Sequence, residues 1–156
     1  MVLYLGAAQG TTVTHVSDLV PDGLVVAVEK SPLAALSLVE ALAHRPNAVP
    51  VLADARRPNE YARVAPERVD VLYQDVAQAD QAAIFLRNAE RFRPRIGFLA
   101  LKARSVAVEA RPRDVFQETR ETITAAGHEV AEWTTLDPFQ RDHALFVVAF
   151  ATAAGA

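Results

Sequence analysis

The sequence predicts one doubly wound α/β domain, with a seven-stranded, mostly parallel sheet and an antiparallel last strand. Three observations lead there. Short apolar runs alternate with longer amphipathic stretches along the whole chain. Turns bearing Gly or Pro separate them. The last two strand-like runs are joined only by "DPFQRD", too short for the crossover that parallel strands need. The 156 residues, 51% apolar and 22% charged, suit a single domain over 1–156 with one core.

Each element follows in turn. "VLYLGA", from Val2, is a buried strand, and "TTVTHVSDLV" is a helix that ends at the turn "PDG". "LVVAVE" is a second strand closing at Glu29. "SPLAALSLVEALAHR" is a helix, with Ser31 as N-cap and Pro32 at the first helical position. "AVPVLAD" and "VDVLYQD" are strands closing at Asp54 and Asp75. "ADQAAIFLRNAERF" is a helix and "IGFLALKA" a fifth strand. "PRDVFQETRETITAAG" is a helix stopping near Gly127, and "HEVAEWTTL" and "HALFVVAFA" are the final strands. The sequence shows no internal repeat, low-complexity tract or linker.

Composition excludes several classes. Without Cys there is no disulfide framework and no thiolate metal site, and no other pair of ligands has useful metal spacing. No apolar run is long enough to span a bilayer, and the first residues lack the basic segment of a signal peptide. A cytoplasmic location is the expectation. The net charge of −3 argues against gripping nucleic acid by bulk charge. Yet Arg87 to Arg113 holds eight basic residues against two acids. That run is either a solvated helix end and loop or a local phosphate-facing patch.

A doubly wound sheet binds its ligand at the carboxyl ends of its strands, so the residues just after each strand carry the information. The first turn, "GAAQGTT", offers Gly6 and Gly10 where backbone approaches a ligand or where a strand–helix turn needs its geometry. It does not match the dinucleotide fingerprint G-x-G-x-x-G. Thr11 and Thr12 open a helix whose N-terminus suits a carboxylate. Glu29 lies about twenty residues past the turn, where an acid accepts both ribose hydroxyls of an adenosine. Asp54 is placed to take an adenine amino group, and Asp75 lies in "QDVAQ" beside the expected reacting centre.

Lys102 closes the apolar run "IGFLALKA". A charge there is costly unless paired or functional, or unless it reaches solvent at the strand end. Only Lys30 and Lys102 are Lys among sixteen basic residues. Lys can give up its proton when desolvated and Arg cannot, so Lys102 is a candidate base. A carboxylate at Asp75 opposes that role by favouring the charged amine. His143 starts the last strand, and an antiparallel direction brings it to the same edge. His15, His44 and His128 have no such position and read as surface or packing residues.

The layout resembles that of class I S-adenosylmethionine-dependent methyltransferases, which are Rossmann-like. "VLYLGAAQGTTVTHVSDLV", "VVAVEKS", "DAR", "DVLYQDVAQADQA", "LALKA" and "RDHALFVV" resemble, over almost the whole chain, fibrillarin and its archaeal fibrillarin-like relatives. Those are rRNA and tRNA ribose 2′-O-methyltransferases. The resemblance implies an S-adenosyl-L-methionine site at Gly6, Ala7, Thr11, Thr12, Glu29 and Lys30. It continues through Asp54, Ala55, Asp75, Val76, Ala77 and Gln78. It implies catalytic Asp75, Lys102 and His143, similar to a Lys-Asp-Lys-Glu tetrad with His for Glu. It further implies a box C/D ribonucleoprotein: a guide RNA, a target rRNA or tRNA, a Nop-family scaffold and a kink-turn-binding protein, in an archaeal-type cytoplasm.

The sequence departs from the family pattern at Gln9, where "GAAQG" replaces "GAASG", and at Lys30, where an aromatic residue is usual. The turn "LVPDG" is one residue short, and "RPRIG" replaces a glycine-rich turn. The family's N-terminal small domain, following helix and first tetrad Lys have no counterpart before Met1. An upstream start is the favoured expectation, ahead of supply by another chain or a shortened homologue. Other functional readings are a weakened or non-catalytic module that binds cofactor or scaffold, a protein glutamine methyltransferase, and a nicotinamide-dependent oxidoreductase.

Overall fold

The computed structural model describes residues 1–65 and 68–150. Its strands are β1 (Val2–Leu5), β2 (Val25–Glu29), β3 (Ala48–Leu52), β4 (Val71–Gln74), β5 (Ile96–Lys102), β6 (Glu129–Thr135) and β7 (His143–Ala149). The helices are α1 (Thr11–Leu19), α2 (Pro32–Leu42), α3 (Pro58–Tyr61), α4 (Gln81–Phe92), α5 (Ala103–Val106) and α6 (Pro112–Ala125). The strands form one seven-stranded sheet in the order β3-β2-β1-β4-β5-β7-β6.

The first five strands are parallel, and β7 runs antiparallel to both β5 and β6. The short "DPFQRD" link therefore makes a hairpin, as its length requires. Residue 151, expected to finish the last strand, lies outside the described residues.

Strand β1 lies mid-sheet and is buried on both faces, so it reads as an unbroken apolar run rather than an alternating one, whereas edge strand β6 is largely exposed. Odd and even positions serve opposite layers. Val2, Tyr4, Val25 and Ala27 pack with Val13 of α1 and with Leu38 and Leu42 of α2. Leu3, Leu5, Val26, Val28, Leu72 and Leu99 pack with Ile84, Phe85 and Phe92 of α4 and with Phe116 of α6. The helices start as the sequence dictates. Ser31 caps α2 by accepting from Ala34 N at 3.3 Å, with Pro32 next to it.

Two one-turn helices, α3 and α5, were not legible, because four residues are too few to show a 3.6-residue period. In β6 the alternation breaks at a register shift between Val130 and Glu132. Beyond it, Trp133 faces Phe146 across the strands and stacks on it at 5.7 Å between ring centroids.

Strand order reverses between β1 and β4, since the chain builds outward from β1 in one direction and from β4 in the other. The crevice beyond their carboxyl ends is where a ligand binds in such a sheet.

Candidate active site

At that crevice the β1–α1 turn is tightly held. Gly6 N and Ala7 N donate to Val28 O at 2.9 and 3.0 Å, and Gly10 N donates to Ala7 O. Gly6 has φ +84°, and a Cβ there would lie 2.0 Å from the Asp75 carbonyl oxygen. Gly10 has φ +94°, and a Cβ would meet Leu38 and Ala41 of α2 at 3.0 and 3.1 Å. Both glycines are thus required by protein backbone and packing. Of the two, only Gly6 lines the cavity.

The cavity has a volume of about 240 Å³ and is lined by apolar Val28, Ala53, Ala55 and Val76, with Glu29, Asp75 and Gln78 as polar members. Ala8, Lys30 and Ala77 complete the wall. Glu29 is fixed by two backbone amides: Oε2 accepts from Ala8 N at 2.8 Å and Oε1 from Ser31 N at 2.7 Å. Each carboxylate oxygen keeps a further acceptor site, so the group is oriented rather than exhausted. Asp54 makes an Asx turn, with Oδ1 accepting from Arg56 N at 2.9 Å. Gln78 Oε1 is buried without a hydrogen-bond partner among the described residues.

Ala55 lines the cavity while its carbonyl is taken by Asn88 Nδ2 at 2.8 Å and by the Tyr61 hydroxyl at 3.3 Å. Thr11 and Thr12 are exposed at the start of α1 and do not line the cavity. Ala7 is 4% exposed and does not line the cavity; its amide donates to Val28 O and its carbonyl accepts from Gly10 N.

Asp75, Lys102 and His143 share one sheet face. Tyr73, Ile96 and Phe98 alternate with core residues on β4 and β5, which puts Asp75 and Lys102 on the α1–α2 side. Lys102 is the direct cross-strand partner of His143. Partial desolvation in the cleft pushes the Asp75 carboxyl above the usual carboxylate range although the residue stays exposed, and the nearby His143 and Lys102 charges pull it partly back. His143 Nδ1 lies 2.7 Å from Arg141 O. A carbonyl only accepts, so Nδ1 carries a proton and is the donor.

The side chain of Lys102 is exposed at the strand end. The expectation of a desolvated lysine is therefore corrected: an apolar run need not bury its last residue once the strand reaches the sheet edge.

Several contributors escaped sequence reading. Tyr4 and Tyr73 are stacked neighbours at 4.6 Å beneath Asp75. Their matched places in two otherwise similar strands, "VLYL" and "VLYQ", were the available signal. Arg56 forms a bidentate pair with Asp80, with contacts of 2.5 and 2.9 Å, across the loop beyond the cavity. Gln81, fully buried at the start of α4, reaches the backbone of Lys102.

The basic run Arg87–Arg113 does not form one patch. Arg87, Arg91 and Arg93 line an open groove with Arg56 and Arg57, interrupted by Glu60 and Glu90. Arg104 is paired with Asp142 and Arg111 with Asp114.

Apolar walls, the oriented carboxylate of Glu29 and, among the described residues, an unpartnered acceptor in Gln78 fit an adenosyl group, whose hydroxyl and amino donors they complement; Asp54 lies outside the lining. The fold is that of the Rossmann-like S-adenosylmethionine-dependent methyltransferases. The fibrillarin family profile matches residues 1–152, and the chain belongs to that family.

It is 43% identical over 148 residues to a fibrillarin-like rRNA/tRNA 2′-O-methyltransferase of Methanocaldococcus jannaschii, covering 94% of this chain. It spans 64% of that relative's length, slightly under two thirds. Among solved structures it is similar to Aeropyrum pernix fibrillarin with natively bound S-adenosyl-L-methionine, with TM-score 0.84 and 41% identity over 95% of this chain and 65% of that one. It is also similar to fibrillarin in a complex with Nop5p, with TM-score 0.89 and 38% identity over 95% of this chain and 71% of that one.

Proposed function

We propose that the protein transfers a methyl group from S-adenosyl-L-methionine to a ribose 2′-hydroxyl of rRNA or tRNA. We propose that it does so in a box C/D-type assembly with a guide RNA, a Nop-family scaffold and a kink-turn-binding protein. The observation that carries the reading is the convergence of Asp75, Lys102 and His143 on one sheet edge beside the adenosyl-shaped cavity.

In this reading Glu29 accepts the ribose hydroxyls of the cofactor, with Lys30 over the same wall. Asp54 and Ala55 bound its adenine. Val76, Ala77 and Gln78 complete the cofactor wall, with Asp75 toward the methionine end. Gly6 gives the close wall, and the Thr11 and Thr12 end of α1 draws the carboxylate through helix-terminal amides. When bound, the cofactor supplies an electrophilic methyl group on a positively charged sulfur.

The chain's own task is geometry and proton handling. Lys102 would orient the 2′-hydroxyl and, as the neutral amine, accept its proton while the methyl carbon exchanges its bond to sulfur for one to oxygen. Asp75 sets the negative field beside the positive sulfur and steadies Lys102. His143, held through Nδ1 on Arg141 O, presents Nε2 at the same edge. Holding oxygen and methyl carbon in line removes much of the entropic barrier.

Sequence choice falls to the guide RNA. A chain of net charge −3 with a divided basic run gains little RNA affinity from bulk charge.

The test is methyl transfer from labelled cofactor onto a guided target in the reconstituted assembly. A target with 2′-deoxyribose at the selected nucleotide should accept no methyl, while the ribose target does. Equal labelling of both, or labelling of protein alone, overturns the reading.

A further inference from the structure

Beyond its last pairing with β4, Gln74 opposite Leu99, strand β5 runs on for three residues. On its other side these residues still pair with β7, through Ala100–Leu145, Leu101–Ala144 and Lys102–His143. At Lys102 the missing strand is replaced by a side chain. Gln81 Oε1 accepts from Lys102 N at 3.1 Å, and Gln81 Nε2 donates to Lys102 O at 3.1 Å. A primary amide presents one donor and one acceptor side by side, as a backbone neighbour in a sheet does.

Gln81 is 0% exposed, and its own carbonyl accepts from Gln74 Nε2 at 2.7 Å. Gln74, also buried, is the residue immediately before Asp75. The chain of bonds thus ties the residue before Asp75, the first residue of α4 and the backbone of Lys102 into one rigid unit.

We propose that Gln81 is a positioning residue for methyl transfer, clamping the Lys102 backbone so that its amine stands beside Asp75 and His143. The proposal rests on the methyltransferase reading above, but the clamp is observable without turnover. Lys102 has four rotatable side-chain bonds and an exposed tip, so only its backbone can anchor it. A shift of about 1 Å at such an anchor costs roughly 100-fold in rate.

Two variants of the chain test this. Gln81→Met keeps the volume and removes both bonds. Gln81→Glu keeps both bonds when protonated, but as a carboxylate it can only accept, leaving Lys102 O unpaired. The chain has two lysines, so lysine labelled with ¹³C at Cε gives two signals, with Lys30 as internal control.

In Gln81→Met the Lys102 signal should move and change its titration, while Lys30 stays in place. The single-turnover rate in the guided assembly should fall about 10- to 100-fold, with cofactor affinity nearly unchanged. Gln81→Glu should match the wild type at low pH and lose the Lys102 signature as pH rises. An unmoved Lys102 signal in Gln81→Met overturns the clamp, as does a pH-independent defect in Gln81→Glu. If Gln81→Met does not fold, Gln81→Glu decides. A wild type that clamps Lys102 but transfers no methyl refutes the functional reading and leaves the clamp standing.

Discussion

Lys102 and His143 face each other as a non-hydrogen-bonded pair of the β5–β7 ladder. The backbone bonds of Lys102 turn away to Gln81, and the His143 carbonyl turns away to Leu136 N at 2.9 Å. Ala103 N, one residue on, points back and donates to Asp142 O. Pairs of this kind are the closer ones in an antiparallel ladder, with Cα atoms about 4.5 Å apart and side chains on one face. The two candidate catalytic side chains are therefore brought together by strand register.

A one-residue slip would separate them, since successive side chains point to opposite faces. Deleting one residue from the β6–β7 turn, at Gln140, should disturb that register. The expected outcome is loss of methyl transfer with cofactor binding retained, read by calorimetry beside a guided transfer assay. Wild-type turnover in the deletion would show that register does not set the pair.

Asp75 gives a pH prediction. Its pKa is raised in the folded state, chiefly by restricted water access and in spite of His143 and Lys102. The native state then holds the proton more tightly than the unfolded chain. Stability contributed by this group is highest at low pH. It is lost as pH rises from the unfolded aspartate range, about 4, through the raised value. Asp75→Asn should therefore melt higher than wild type at pH 7, with the gap closing below about pH 4. The same variant should lose methyl transfer. Calorimetric Tm values across pH check the sign.

Gly6→Ala should be strongly destabilising. The new Cβ would sit 2.0 Å from a backbone oxygen, and φ is +84°. Left-handed strain alone costs about 1–3 kcal/mol, and the clash adds to it. Urea unfolding should show a loss of about 3 kcal/mol or more. Gly127→Ala is the control: φ is +85° but nothing lies within 4 Å, so only the strain remains.

Asn88 secures the far wall of the cavity. It is 0% exposed, donates to Ala55 O and Ile84 O at 2.8 and 2.9 Å, and accepts from the Tyr61 hydroxyl. Asn88→Leu leaves buried polar groups unpaired, at about 1–3 kcal/mol each. Denaturation should show a loss of roughly 2–4 kcal/mol, and cofactor affinity should weaken because the Asp54–Ala55 turn is freed.

The succession of strands and helices, the reversed last strand and the strand-end acids were legible because they follow from period, loop length and position after a strand. Register then set His143 opposite Lys102. Other features depend on contacts between distant segments. The partners that demand Gly6 and Gly10 are Asp75, Leu38 and Ala41, which a local reading of "GAAQG" does not reveal. Gln81 looked like an ordinary helix-start residue, because its role depends on β5 outrunning β4. The exposure of Lys102 depends on where the strand meets the sheet edge. The basic run divided because Arg104 and Arg111 found acids nearby.

The most direct test of the proposed site is Lys102→Ala in the guided assembly, with single-turnover methyl transfer and cofactor affinity measured on the same preparation. The site predicts a fall in rate of about 100-fold or more, the scale of a lost acid–base group, with the cofactor bound as tightly as before. Full methyl transfer by Lys102→Ala would contradict it.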